Sequence, residues 1–158
     1  MKRILIIVVL VLIVVSATII LVKESSTKND FTIVKVFFNN NKMDPEFSCN
    51  KVFPVERSVL KSGELEREAL AELLIGPTQN EVMEGFFTSI NSGVKINNIS
   101  INGQTIRVDF DERLEEATGG SCRVAAIRAQ ITQTLKQFSG IKNVIISIDG
   151  RTEDILQP

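Results

Sequence analysis

Hydrophobic residues are distributed very differently in the first 22 positions and in the remainder of the chain. Residues 4–22 are Ile, Leu or Val except for Ser16, Ala17 and Thr18. A helix of these 19 residues would be roughly 28 Å long at about 1.5 Å per residue, which is close to the ~30 Å hydrocarbon core of a bilayer. The pattern therefore predicts a single membrane span within residues 1–23.

A cleavable signal peptide is the alternative interpretation of this run. Val15, Ser16 and Ala17 provide a small-residue cleavage site. Cleavage after Ala17 would leave an apolar N-terminus ending at Val22, so an uncleaved signal anchor is favoured. No cysteine follows the run closely, which argues against a bacterial lipoprotein.

The orientation of the span follows from the size of the two flanking segments. Basic residues are almost balanced across the run, with Lys2 and Arg3 before it and Lys23 and Lys28 after it. Long domains translocate largely regardless of charge, so the short N-terminal segment is expected in the cytoplasm. The sequence predicts a single-pass protein of the cytoplasmic membrane with an extracytoplasmic C-terminal domain.

Alternating and helical periodicities follow a polar tether at residues 24–30. Strands are predicted over residues 31–38 and 51–59, and Pro54 marks the second as an edge or bulged strand. Ser62 can cap a helix that begins at Gly63 or Glu64 and ends at Ile75. The capping-box spacing of Thr78 and Glu81 predicts a short helical turn over residues 79–84, followed by a short extended piece.

A hairpin is predicted where strands over residues 94–101 and 104–111 flank Asn102-Gly103. A two-residue turn at Asn102-Gly103 would place Ile99 opposite Ile106. Further along, Ile96 meets Val108, and Val94 meets Phe110, only if one extra residue is present. The inward apolar positions therefore predict a β-bulge at Asn97-Asn98.

The second half of the chain predicts a long helix and a last strand. The helix runs from Gly119-Gly120-Ser121 to about Phe138, and the strand covers residues 142–148. Both main helices are amphipathic on one side only. We therefore expect an α+β fold in which a mixed, mostly antiparallel sheet carries two main helices on one face. One domain over residues 31–150 is predicted, with a C-terminal tail at residues 151–158.

Composition narrows the range of functions. Residues 29–158 contain 18 acidic and 14 basic side chains, a net charge of −4, which argues against nucleic acid and anionic lipid headgroups as partners. The sequence has no His, Trp or Tyr. It therefore lacks the commonest general base, the commonest zinc ligand and the best carbohydrate-stacking rings. No catalytic residue, cofactor or metal is predicted.

Two cysteines, Cys49 and Cys122, lie in the predicted extracytoplasmic domain. An oxidising compartment would allow them to form one intramolecular disulfide, which is the favoured interpretation. Two separately buried thiols remain the alternative. A two-cysteine metal site is less favoured, because no histidine or further cysteine completes tetrahedral coordination.

Polar residues that could contact a ligand or partner are few. The candidates are Arg57, Ser89, Asn91, Asp109 and Asp111. Arg57 is expected to pair with a carboxylate such as Asp109 or Asp111, and an ion pair that fixes two elements is favoured over ligand capture. The two aspartates alternate with apolar residues and are expected on a solvated sheet face. A calcium site that adds Glu112 and Asp149 is disfavoured, because no Asp-rich 12-residue loop is present.

Several of these segments together resemble a known family. They are Val55-Glu56-Arg57, residues 72–78 (ELLIGPT), residues 87–93, Val108-Asp109-Phe110 and residues 130–135 (QITQTL). Together they resemble the GerMN domain of sporulation and germination proteins in Gram-positive bacteria, over about residues 31–150. The resemblance implies an envelope-associated α+β domain similar to ring-building modules, with no known catalytic residues. This chain has one such domain behind an apolar anchor, whereas the founding proteins have two behind a lipoprotein signal.

The favoured function is a non-enzymatic, membrane-tethered interaction domain of the bacterial cell envelope. Its expected partners are envelope proteins or further copies of itself, including a ring-like oligomer. The alternative is a module that binds cell-wall glycan or a small ligand through residues 86–93 and Arg57.

Overall fold

The computed structural model describes residues 30–61 and 63–157. The predicted anchor, most of the tether and the Ser62 cap lie outside these ranges. Within them, no helix combines the length and the apolarity needed to cross a bilayer. The strands are β1 (Phe31–Asn40), β2 (Phe53–Leu60), β3 (Phe86–Phe87), β4 (Ile96–Asn102), β5 (Thr105–Phe110) and β6 (Asn143–Ile148). The helices are α1 (Leu65–Ile75), α2 (Gln79–Met83), a 3-10 turn (Glu112–Leu114) and α3 (Ser121–Lys136).

The α+β fold is confirmed, but its strands form two sheets and not one. The first has the order β2-β1-β3 and is antiparallel, and Pro54 lies on its edge strand as predicted. The second has the order β4-β5-β6, in which β5 pairs antiparallel with β4 and parallel with β6.

The sheet divides because side chains of α3, and of the residue after it, cover one edge of β1. Gln137 accepts the Lys35 amide N–H at 2.7 Å and donates to the Lys35 carbonyl. Thr134 Oγ1 accepts the Phe37 amide N–H at 3.1 Å. These contacts satisfy backbone groups that another strand would otherwise pair with. On that edge, Asn39 and Asn40 pair with β3.

Both main helices pack on the same face of β1, as predicted. Its alternate residues Val34, Val36 and Phe38 are buried against them. The second sheet contributes the inward side chains of β5 to the same core, which also contains α3 residues: Ile106, Val108, Phe110, Val124, Ile127, Ile131 and Leu135. A continuous apolar core therefore joins the two sheets through α3, and Val34 lies in a second, smaller cluster with Val59 and Ala69.

The predicted bulge in the β4–β5 hairpin is confirmed, but the predicted register is wrong. The pairing shifts between Ile96 and Asn98, which leaves Asn97 as the extra residue. Asn102 belongs to the strand and pairs with Thr105, so Ile99 faces Val108, and Ile96 faces Phe110. The loop is Gly103-Gln104. Gly103 has a φ of +57°, and a first loop residue with positive φ favours glycine.

The predicted C-terminal tail contributes to the core. Ile155 and Leu156 are only 2% and 3% exposed. The Ile155 carbonyl accepts a hydrogen bond from Arg128 at 3.1 Å, and the Leu156 amide donates to Glu115 at 3.2 Å. These two buried apolar side chains hold the last residues against the core. The sequence pattern did not predict this, because polar residues surround them.

Candidate functional site

A cavity of about 410 Å³ opens at the C-terminal end of β1. The loop between β1 and β2, the segment that begins at β3, and the first turns of α3 surround it. Its lining includes Phe47, Cys49, Phe87, Cys122 and Ala126. Apolar atoms make up most of the lining surface. The cavity is therefore suited to an apolar group.

The predicted disulfide is confirmed and forms one wall of this cavity. Cys49 and Cys122 are bonded, with their Cα atoms 4.9 Å apart. Cys49 lies in the loop after β1, and Cys122 lies in the first turn of α3. The bond therefore fixes the position of a long loop against the helix.

Asn39 lines the floor of the cavity, and buried polar side chains hold it in place. Gln130 is fully buried and donates through Nε2 to Asn39 Oδ1 at 2.7 Å. Its Oε1 accepts from the Thr88 hydroxyl at 2.8 Å. Asn39 Nδ2 in turn donates to the Lys51 carbonyl at 2.9 Å. This chain of bonds connects α3, β1 and both segments beside the cavity, so it holds the floor in one arrangement.

Arg123 fills a second side of the cavity, and two of the predicted contact residues hold it. Its guanidinium donates to the Asn91 side-chain oxygen, to the Ser89 carbonyl at 3.3 Å and to the Ala117 carbonyl at 3.1 Å. Asn91 Nδ2 also donates at 2.7 Å to the carbonyls of Arg113 and Glu116. These polar groups are engaged within the protein.

Asp44 organises the loop that carries the outer rim. Its carboxylate is buried and accepts hydrogen bonds from the Ser48 amide at 2.7 Å and the Ser48 hydroxyl at 3.1 Å. Between these residues Phe47 has a φ of +54° and is 65% exposed. Phe87, on β3, is 39% exposed. The loop therefore presents one aromatic ring to solvent, and β3 presents another.

The arrangement of polar and apolar groups restricts what the cavity can bind. Among the described residues, every buried side-chain nitrogen or oxygen has a hydrogen-bond partner. No group of three or more Cys, Asp or Glu side chains in the described ranges is placed to hold a metal ion. A ligand therefore meets apolar walls and rings, with no buried polar group left to satisfy.

Arg57 lies away from the cavity, and its predicted partners were wrong. The guanidinium donates to both carboxylate oxygens of Glu81, at 2.6 and 2.7 Å, and its Nε lies 3.4 Å from Glu72. The hydrogen bonds from Arg57 lower the pKa of the Glu81 carboxyl, and the bond to Glu81 raises the pKa of Arg57. The predicted Thr78 and Glu81 capping box is confirmed. Arg57 therefore connects β2 to α1 and α2.

Asp109 and Asp111 lie in a third place, on and beside β5. Asp109 accepts from the Ser147 hydroxyl at 2.7 Å and the Gly150 amide at 2.8 Å. Burial raises the pKa of Asp109, but these hydrogen bonds outweigh it and leave the pKa below its usual value. Asp111 accepts the Lys95 amide at 3.0 Å. Both carboxylates are thus engaged with neighbouring protein groups.

The five predicted contact residues therefore occupy three separate places: Ser89 lines the cavity, and Asn91 lies beside it through its hydrogen bond with Arg123. Phe47, Gln130 and Arg123 were not predicted from the sequence. The sequence could have indicated Gln130, because it is a polar residue beside the apolar stripe of α3. Phe47 was less clearly indicated, as an aromatic residue in a polar loop two positions before a cysteine.

Comparison with known proteins defines the class. The model of the Germane family, described as sporulation and spore germination, matches residues 35–154, and the chain belongs to this family. The chain is similar to the tandem GerMN domains of the sporulation protein GerM from Bacillus subtilis, with a TM-score of 0.59 and 20% identity. That match covers 78% of this chain and 41% of the tandem chain.

A single GerMN domain gives a comparable match. The chain is similar to the first GerMN domain of the same sporulation protein from Bacillus subtilis, with a TM-score of 0.56 and 21% identity. The match covers 77% of this chain and 85% of that one. No curated protein matches the chain. These similarities establish the GerMN-type fold.

Proposed function

We propose that this protein is a non-enzymatic, membrane-tethered interaction domain on the outer side of a bacterial cytoplasmic membrane. Its GerMN-type domain receives an apolar side chain of an envelope protein or of a second copy. The predicted apolar run at residues 4–22 supplies the tether. The disulfide between Cys49 and Cys122 supports an oxidising compartment.

The observation that carries this proposal is the cavity with its aromatic rim. Phe47 and Phe87 expose rings at an opening whose buried polar side chains are already hydrogen-bonded within the protein. Aromatic residues around an apolar pocket are typical of the central contacts in protein interfaces. An apolar side chain would be desolvated there, and no buried polar group of the cavity would lose its partner.

Further exposed apolar side chains lie in the segments beside this opening. Met43, in the loop after β1, is 53% exposed, and Met83, at the end of α2, is 68% exposed. Lys42 Nζ donates to the Met83 carbonyl at 2.7 Å, which brings the two segments together. Methionine adapts to varied partner surfaces, so these side chains extend the area available for a protein contact.

Glycan binding is less well supported as an alternative. The Arg57 guanidinium is engaged by Glu81 and Glu72, and Asn91 is engaged by Arg123. The sequence provides no Trp or Tyr for stacking on sugar rings.

Site-specific photo-cross-linking tests the proposal. A photoreactive phenylalanine analogue replaces Phe47 in the full-length protein in intact cells, and the matched control position is Ile101 on β4, which is 50% exposed. We expect a discrete protein adduct from position 47 and a much weaker one from position 101. Equal yields, or capture of peptidoglycan and no protein at position 47, would contradict the proposal.

A further inference from the structure

Three large apolar side chains are exposed together at the start of the first sheet. Phe31 and Ile33 on β1 are 57% and 59% exposed, and Leu60 on β2 is 47% exposed. Phe31 pairs directly with Leu60, and Ile33 follows two residues later, so all three belong to the same face. We call Phe31, Ile33 and Leu60 the entry patch.

The entry patch is confined to one end of that face. The next cross-strand pair on the same side is Lys35 with Glu56, and both residues are exposed and charged. On this face of the sheet, the large exposed apolar side chains therefore lie where the chain enters β1. An apolar patch of this kind, bounded by charged residues, indicates a contact surface.

The chain before Phe31 indicates what covers the patch. The predicted span ends at residue 23, and residues 24–30 are a tether of seven residues. Seven residues reach at most about 25 Å when fully extended. A span in the membrane would keep the entry patch within this distance of the bilayer surface, where contact becomes effectively intramolecular.

We propose that the entry patch inserts into the boundary between headgroups and acyl chains of the adjacent leaflet. This inference rests on the proposed membrane tether. Residues 29–158 carry a net charge of −4, and the neighbouring Lys35–Glu56 pair is neutral overall. Electrostatic attraction to anionic headgroups is therefore absent, and burial of apolar side chains drives the contact. The contact should therefore form on zwitterionic lipid and change little with salt.

Lipid contact at this end would orient the cavity. The ten residues of β1 span about 30 Å between the entry patch and the loop that carries Phe47. The cavity opens at the opposite end of the strand from the patch. A docked domain would therefore direct its aromatic rim away from the lipid surface.

The absence of tryptophan from the sequence allows a direct test. Phe31→Trp provides a single fluorescent reporter in the full-length protein, reconstituted into phosphatidylcholine vesicles. We expect emission at shorter wavelength than for an exposed indole and strong quenching by lipids brominated on their acyl chains. Raising the salt concentration should leave both signals unchanged.

Matched controls separate burial of the reporter in lipid from burial against protein. Phe47→Trp should emit as an exposed indole and remain unquenched by brominated lipid, and Ile33→Ser with Leu60→Ser should reduce the quenching of the Phe31→Trp reporter. A reporter at position 31 that is unquenched in vesicle-bound protein overturns lipid docking and leaves the tether intact. A blue shift without quenching shows that protein, and not lipid, covers the reporter, and this result also overturns lipid docking. Failure of the full chain to remain with vesicles overturns the tether as well.

Discussion

At the scale of single residues, Gln130 holds Asn39 in place at the floor of the cavity. It lies at a fully buried position and forms hydrogen bonds with Asn39 on one side and Thr88 on the other. Gln130→Leu keeps a similar volume but leaves both partners without their hydrogen bond. We expect the free energy of unfolding to fall by about 1–3 kcal/mol for each unsatisfied group.

Urea denaturation of residues 30–158, which include the compact unit, measures this change. Gln133→Leu is the control, because Gln133 is exposed on the same helix. It should change stability by less than about 0.5 kcal/mol. Similar losses for the two variants would show that the floor network has no special role.

Arg57 allows a second comparison at this scale. Arg57→Ala removes the two hydrogen bonds to Glu81 and the contact with Glu72, all within a mostly buried cluster. We expect a loss of about 2 kcal/mol, because hydrogen bonds to charged groups contribute about 1.5–3 kcal/mol. Arg67→Ala breaks an exposed pair with Glu64 and should cost less than about 0.5 kcal/mol. Equal losses in thermal denaturation would contradict a structural role for the buried pair.

The same ion pair predicts a pH dependence. The hydrogen bonds from Arg57 give Glu81 a folded-state pKa below its unfolded value of about 4.3. Its stabilisation is therefore fully present above the unfolded pKa and is lost as the pH falls through the folded pKa. Asp109 contributes with the same sign. Stability should fall below about pH 4, and less steeply in Arg57→Ala. An identical acid dependence in the two proteins would argue against this assignment.

At the scale of structural elements, the disulfide connects the loop after β1 to α3. It joins residues 73 positions apart, for which loop closure predicts about 4 kcal/mol of stabilisation. Cys49→Ser with Cys122→Ser should lower the free energy of unfolding by this order and weaken cross-linking from position 47. Denaturant midpoints with and without reductant measure the first effect. A reduced protein as stable as the oxidised one would contradict it.

Elements with local signals were predictable from the sequence. The Thr78 and Glu81 capping box depends on residues three positions apart, and the bulge at Asn97 depends on the parity of neighbouring apolar positions. The hairpin register was wrong by two residues because the backbone conformation at Gly103 places the turn one position later. Local patterning therefore identified the elements and the general α+β class.

Contacts between distant elements could not be predicted in the same way. The sheet divides because Thr134 and Gln137 cover the edge of β1, and this depends on how α3 packs. Arg57 finds Glu81 and not Asp109, because β2 packs beside α1, which leads into α2, and lies in a different sheet from β5. The predicted disulfide identified two residues that form one wall of the cavity. The position of Phe47 at the rim was not predictable, because it depends on the conformation of the loop.

At the scale of the whole domain, β1 organises the described structure. Its first residues carry the entry patch, its middle residues pack both main helices, and its last residues lie at the cavity. Lipid contact at one end and partner contact at the other would let the domain present its aromatic rim at a fixed distance from the membrane. The two proposed contacts use separate residues, so mutations at one should leave the other unchanged.

The cavity is proposed to receive an apolar group from a protein partner. Ala126 lines the cavity and is 4% exposed, so Ala126→Leu should extend a larger side chain into the cavity with little effect on the outer surface. An apolar anchor contributes about 1.5–3 kcal/mol, so losing it should weaken binding roughly tenfold or more.

The most direct measurement is photo-cross-linking from position 47 in intact cells, with and without Ala126→Leu. We predict one dominant protein adduct, whose yield falls about tenfold in the Ala126→Leu variant while the protein level and disulfide remain unchanged. An adduct of undiminished yield in the Ala126→Leu variant would show that the partner does not use the cavity, and would contradict the proposal that the cavity receives an apolar group.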